Sequence, residues 1–129
     1  MDFEVERWLR AFSRAVRERD YAAGMTLFRA DVVAFGTVAE RAEGSEVLQA
    51  RQWRVVWETT RGFEFDYDSL RCERRGDRAW VAAQWSSVGT DRDGCDLHRA
   101  GRASLVLAGG ESGWQALHSH FSLAPTKSR

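Results

Sequence analysis

Cysteine is scarce in this chain: Cys72 and Cys95 are the only two among 129 residues, and neither belongs to a Cys-x-x-Cys pair. That composition is not a disulfide-stapled secreted scaffold, and reduced thiols are expected. Net charge is absent as well, since 19 basic side chains cancel 19 acidic ones. No block of like charge builds a field for a phosphate backbone or an anionic membrane, so neither nucleic acid nor a membrane is an expected partner. No apolar run approaches the ~20 residues of a membrane span or the core of a signal peptide. The start Met1-Asp2-Phe3-Glu4 is acidic, and the expected location is the cytosol. Internal repeats and low-complexity segments are missing, and the one proline is Pro125.

Aromatic rings are what the chain has in excess. Its six Trp and seven Phe supply large areas for burial, and each Trp needs a partner for its N–H, so a core or pocket rich in rings is predicted. The length suits one core. Residues 1–125 are expected to form it, with Thr126-Lys127-Ser128-Arg129 as a polar tail that frays.

Val5, Trp8, Leu9, Phe12 and Val16 recur at helical steps, with Glu4 and Glu6 early and Arg14, Arg17 and Arg19 late, as the helix dipole favours. The spacing predicts a helix over 3–18. Asp20 can cap a second, short helix through Tyr21, Met25, Leu27 and Phe28, weakened by Gly24. Val32-Val33-Ala34-Phe35 reads as a short strand stopped by Gly36, and Gly44-Ser45 as the cap of a third helix carrying Val47, Leu48, Trp53, Val56 and Trp57. Beyond Gly62 the period becomes two: Phe63, Phe65 and Tyr67 alternate with Glu64, Asp66 and Asp68. The phase then slips at Leu70 and Cys72, which predicts a β-bulge near Asp68 or Ser69. Arg75-Gly76-Asp77, the stretch Gly89 to Asp96, and Gly109-Gly110 separate strands over 79–88, 98–107 and 114–123. Helices followed by hairpin-linked strands form an α+β pattern in which a bent sheet wraps the helices and can leave a pocket between them.

Trp114-Gln115-Ala116-Leu117-His118-Ser119-His120-Phe121-Ser122, with Pro125 beyond, resembles the final strand of the association domain of calmodulin-dependent protein kinase II and of related stand-alone bacterial proteins. Leu27-Phe28-Arg29-Ala30-Asp31-Val32-Val33-Ala34-Phe35-Gly36 resembles the passage from second helix to first strand in such domains, and Gly76-Asp77-Arg78-Ala79-Trp80-Val81 their middle hairpin. Taken in order, these stretches are similar to the SnoaL-like and ketosteroid-isomerase-like branches of the nuclear-transport-factor-2-like superfamily. The resemblance implies a cone-shaped, cystatin-like α+β fold, with N-terminal helices on a curved mixed or antiparallel sheet, a pocket between them, and a homodimer. It does not imply one reaction, because members isomerise steroids, cyclise polyketides, dehydrate or hydrolyse small molecules, carry proteins or assemble subunits.

Ketosteroid isomerases combine a carboxylate base with an oxyanion hole of Tyr and a protonated Asp. By the resemblance those positions fall at Gly36, Phe12 and Ala103, whose side chains move no proton. Two pocket arginines of the kinase association domain fall at Trp85 and Phe121. Together with Trp8, Phe12, Trp53, Trp57 and Ser104, these residues form the expected pocket wall, suited to a small apolar or aromatic ligand. The alternative is that the rings simply fill the core.

His118 and His120 would share one face of an unbulged strand with Trp114, Ala116 and Ser122. They are the candidate proton carriers, with Arg102 offering positive charge to a substrate. The competing role for the pair is hydrogen bonding within the sheet or at a dimer interface. A catalytic zinc usually takes three protein ligands; His98 is the only further histidine, so no metal is expected, and no cofactor. Asp91-Arg92-Asp93-Gly94 has its Gly too early for a calcium loop, with Arg102 where the bidentate Glu belongs, and reads as a hairpin turn. Arg71, Arg74, Arg75 and Arg78 interleave with Glu73 and Asp77, which makes a solvated charged hairpin. Three readings remain: a ligand-binding, dimerising domain without a catalytic set; a SnoaL-like isomerase, cyclase or dehydratase using a histidine; or a protein-association module.

Overall fold

Asp2 starts the first helix, its carboxylate accepting hydrogen bonds from the N–H groups of Glu4 (2.9 Å) and Val5 (3.1 Å) that the helix itself leaves unpaired. In the computed structural model, which describes residues 1–111 and 113–125, this helix, α1, runs Phe3–Glu18 and closes on Arg19 in a left-handed conformation (φ 54°). The tail expected at 126–129 lies outside the described residues. α2 (Tyr21–Thr26) is capped by Asp20, which accepts from the Ala23 N–H. Gly24 has a packing role there: a Cβ would stand 2.9 Å from the Trp57 ring and 3.0 Å from that of Trp53.

The predicted third helix changes its winding along the way. It begins as α3 (Ser45–Leu48), widens into a π-helical turn (Gln49–Trp53), returns as α4 (Arg54–Val56) and tightens to a 3₁₀ turn (Trp57–Thr59). The wide turn lets the consecutive residues Gln52 and Trp53 both be buried, where a regular α turn would fan them apart.

The strands are β1 (Phe28–Phe35), β2 (Ala42–Glu43), β3 (Thr60–Phe65), β4 (Arg71–Arg75), β5 (Arg78–Thr90), β6 (Asp96–Ala108) and β7 (Gln115–Leu123). They form one sheet in the order β2-β1-β7-β6-β5-β3, with β4 also on β5. The sheet is mixed, because β1 runs parallel to β7 while the other pairs are antiparallel. β1 starts at Phe28, earlier than its apolar run suggests, because its first half is exposed apart from Phe28.

The slip of phase after Tyr67 is a turn and not the expected bulge. The Asp66 carboxylate accepts from the Asp68 N–H (3.1 Å) and the Ser69 hydroxyl (2.9 Å), so the chain leaves β5 after Phe65 and rejoins it at Arg71. Irregularities that bend the sheet occur elsewhere. In β3 the pairing shifts around Gly62 (φ 67°), and in β7 it shifts from Leu107–Ala116 to Val106–His118, leaving Leu117 without a partner. Ala116 therefore faces the core, whereas His118 turns to the other face.

α1 lies on the concave face, its buried Val5, Trp8, Leu9, Phe12 and Val16 forming one cluster with Val81, Trp85, Leu105, Leu107 and Ala116 of the sheet. The Trp8 indole N–H donates to the Leu27 carbonyl (3.0 Å) and that of Trp85 to the Arg102 carbonyl (3.2 Å), which offsets the cost of burying them. Among the described residues no helix is long and apolar enough to cross a membrane.

Candidate functional site

Between α1, the helical stretch 45–59 and the concave sheet lies a cavity of about 60 Å³, about 590 Å³ with its open mouth included. Phe12, Trp53, Trp57, Trp85 and Phe121 of the expected wall line it, joined by Phe28, Phe35 and Phe63. Phe12 is the hub: its ring centroid lies 5.4 Å from that of Phe28, 5.8 Å from Phe121 and 6.0 Å from both Trp57 and Phe63. Trp53 stacks on Trp57 (4.6 Å), Trp57 on Tyr21 (5.1 Å), and the Arg54 guanidinium covers Tyr21 (4.2 Å), so one side of the cavity is a continuous stack. Ordinary ligand pockets hold about 300 Å³ or more. Rings fill most of this cone, and the enclosed space that remains is small.

Gln52 organises the polar side. Its Oε1 accepts from the N–H groups of Val38 (2.8 Å) and Ala39 (2.7 Å), and its Nε2 donates to the Thr37 hydroxyl (2.8 Å). A Cβ on Gly36 would lie 2.5 Å from Gln52 Oε1. The amide thus occupies the space that a carboxylate side chain at position 36 would need. Thr60, Ser87 and Ser119, all buried, add hydroxyls to the lining, and the Thr60 hydroxyl donates to the Val56 carbonyl (3.1 Å).

Among the described residues, the one charged side chain lining the cavity is that of Arg99. Its strand partner is Ser87, its Cδ lies over Gly89 (3.2 Å from where a Cβ would stand), and its guanidinium carbon is 6.0 Å from the Trp85 ring centroid. Arg99 joins none of the ion pairs among the described residues. Burial alone pulls its pKa below the ordinary arginine value, with no neighbouring charge to oppose it.

Several expected site residues lie elsewhere. Trp8 is buried behind Phe12 and does not line the cavity, because its position on α1 faces Leu27 and Trp114. Ser104 is exposed, since the odd positions of β6 face inward and the even ones outward. His118 and His120 share a face, as expected, but it is the outer face, and the bulge at Leu117 separates them from Ala116. His118 Nδ1–H donates to the Val33 carbonyl (2.6 Å), and the Phe35 ring lies edge-on to both imidazoles (5.3 and 5.4 Å). Arg102 is exposed beside Ser122. Among the described residues no Asp, Glu, His, Tyr or Cys lines the cavity, and no three His, Cys, Asp or Glu side chains gather to hold a metal.

A model of the SnoaL-like domain matches residues 5–126. The chain belongs to the SnoaL-like domain family. Solved structures place the fold in the wider nuclear-transport-factor-2-like group, whose shape is also described as cystatin-like. A superfamily protein from Salmonella enterica superposes with a TM-score of 0.81 at 19% identity, over 97% of this chain and 92% of its own. A Xanthomonas campestris protein, provisionally described as a calcium/calmodulin-dependent protein kinase II association domain, does so with 0.81 at 18%, over 95% and 86%. A ketosteroid isomerase-like protein from Erwinia carotovora gives 0.77 at 20%, over 95% of each chain. At such identities these likenesses show the fold alone. No curated protein matches the chain significantly.

Within this SnoaL-like domain, sequence reasoning missed Gln52 and Arg99. Gln52 gave no signal beyond lying one turn after Leu48. Arg99 was legible: Ala103, Leu105 and Leu107 mark the odd positions of β6 as inward, and counting back selects Arg99 over Arg102.

Proposed function

We propose that this SnoaL-like domain is a small-molecule-binding, dimerising domain that holds a single-ring ligand in the mouth of its aromatic cavity and transfers no proton with its own side chains. The observation that carries this reading is the lining itself: eight aromatic rings, a few hydroxyls, one amide and one guanidinium. General acid–base catalysis needs a group that titrates near the working pH within reach of the substrate, and among the described residues the cavity lining holds none. The rival reading, a histidine-dependent isomerase, cyclase or dehydratase, loses its proton carrier because both imidazoles lie on the outer face.

The outer face supports the dimer. Trp80, 46% exposed, stands beside Val106 and then His118 across three strands, with Ala82, Ser104 and His120 in the next row. Trp80 and Val106 form an apolar patch bordered by Glu73 and Arg71 of β4, which stand opposite Trp80 and Ala82, and an apolar centre with a charged rim suits a second copy of the same sheet. The provisional association-domain description of the Xanthomonas campestris protein points the same way.

Titration with benzyl alcohol, followed by NMR, tests the cavity. The indole N–H signals of Trp53, Trp57 and Trp85 are expected to shift saturably while that of exposed Trp80 stays put. Equal, unsaturable shifts at all four indoles would overturn the reading.

A further inference from the structure

A guanidinium half withdrawn from water without a counter-charge costs folding energy, and chains bury arginine in ion pairs for that reason. This chain forms eight ion pairs among its described residues, and Arg99 is in none of them. It is held in place nonetheless: β6 turns it inward, Gly89 leaves room for its methylenes, and its head sits near the Trp85 face. Among the described residues no carboxylate lines the cavity to repel an anion.

From this geometry we infer that the cavity selects a single-ring monocarboxylate, the ring resting against Trp85, Phe63 and Trp57 and the carboxylate on the Arg99 fork, with the Ser87 hydroxyl beside it. The inference rests on the ligand-binding reading above and deepens it. A carboxylate is favoured over a phosphate because a dianion calls for more donors than one fork supplies, and among the described residues no Lys or second Arg lines the site. A monoanion suits a single cation. The enclosed space inside the mouth is small, about 60 Å³, which favours a single ring as the apolar part.

Calorimetric titration of the wild type and of Arg99→Gln with benzoate, benzyl alcohol and phenyl phosphate tests this. Wild type is expected to bind benzoate at least about tenfold more tightly than benzyl alcohol, the scale of a charge-assisted hydrogen bond. Arg99→Gln should abolish that preference, benzoate falling to the affinity of benzyl alcohol, as expected when the ionic contact is lost. If wild type binds benzyl alcohol but shows no preference for benzoate, or if Arg99→Gln keeps it, the inference falls and the cavity reading stands. Tighter binding of phenyl phosphate than of benzoate overturns the carboxylate class. If neither benzyl alcohol nor benzoate binds wild type, both readings fall. Circular dichroism confirms that Arg99→Gln folds, and Arg99→Lys, which keeps the charge but not the fork, should recover only part of the preference.

Discussion

Glycines hold the rings of this protein in place as firmly as the rings hold each other. At Gly101 a Cβ would lie 2.2 Å from both the Ser122 carbonyl oxygen and the Trp85 ring. The carbonyl is backbone of the neighbouring strand, and Trp85 is tied by its N–H to Arg102, so neither can give way cheaply. Gly101→Ala should cost about 3 kcal/mol, the upper part of the range for overpacking. Gly24→Ala meets only ring edges, at 2.9 and 3.0 Å. There an overpacking cost of about 1–3 kcal/mol is offset by ~1 kcal/mol of helix propensity, so a net loss of about 1 kcal/mol is expected. Urea midpoints measured at unchanged slope give both values. A Gly101→Ala protein as stable as wild type would show that Trp85 does not lie over β6.

At the scale of elements, α1 is fastened to β3 through Glu64. Its carboxylate pairs with Arg17 (2.9 Å) and accepts from the Tyr67 hydroxyl and the Phe65 N–H (3.0 Å each), while Arg17 also donates to the Phe63 carbonyl (3.0 Å). Desolvation raises the Glu64 pKa. The hydrogen bonds, the Arg17 charge and the nearby Ser13 hydroxyl, itself outside hydrogen-bonding geometry, outweigh it and hold Glu64 below its ordinary 4.5. Burial and the same carboxylate push the Tyr67 phenol up to about 12. Because the folded pKa of Glu64 is depressed, its contribution to stability is present above 4.5 and is lost as pH falls through the folded value. Glu64→Gln should therefore be less stable than wild type at pH about 7, and the gap in urea midpoints should close in acid. A gap unchanged in acid would remove the ion pair from the account. The helical stretch 45–59 is a second case: its π-helical turn brings Gln52 to Gly36 and Trp53 to Trp57 at once.

For the whole molecule the question is what covers the convex face of the sheet. A dimer through Trp80, Val106 and His118 predicts that Trp80→Glu gives a monomer with an unchanged far-ultraviolet spectrum, since the side chain is 46% exposed and carries little of the core. Sedimentation equilibrium at micromolar concentration checks this, and a monomeric wild type would refute the interface. The added charge disfavours association by placing two carboxylates together in a desolvated contact.

The sequence by itself determined the order of elements, the face of α1 and the family. Val5-Trp8-Leu9-Phe12-Val16 and the odd–even alternation of β5 and β6 are local periodicities that hold whatever else the chain does. His118-x-His120-x-Ser122 marked the fold through its resemblance to the final strand of known relatives. Only the tertiary structure decided which residues meet in the cavity. One unpaired residue, Leu117, settles which side of Ala116 the histidines take, and one wide turn settles that Gln52 is buried. Both are single-residue departures from a regular period, and a side-chain period of two converts each into a choice between core and solvent that depends on strand pairing distant in sequence.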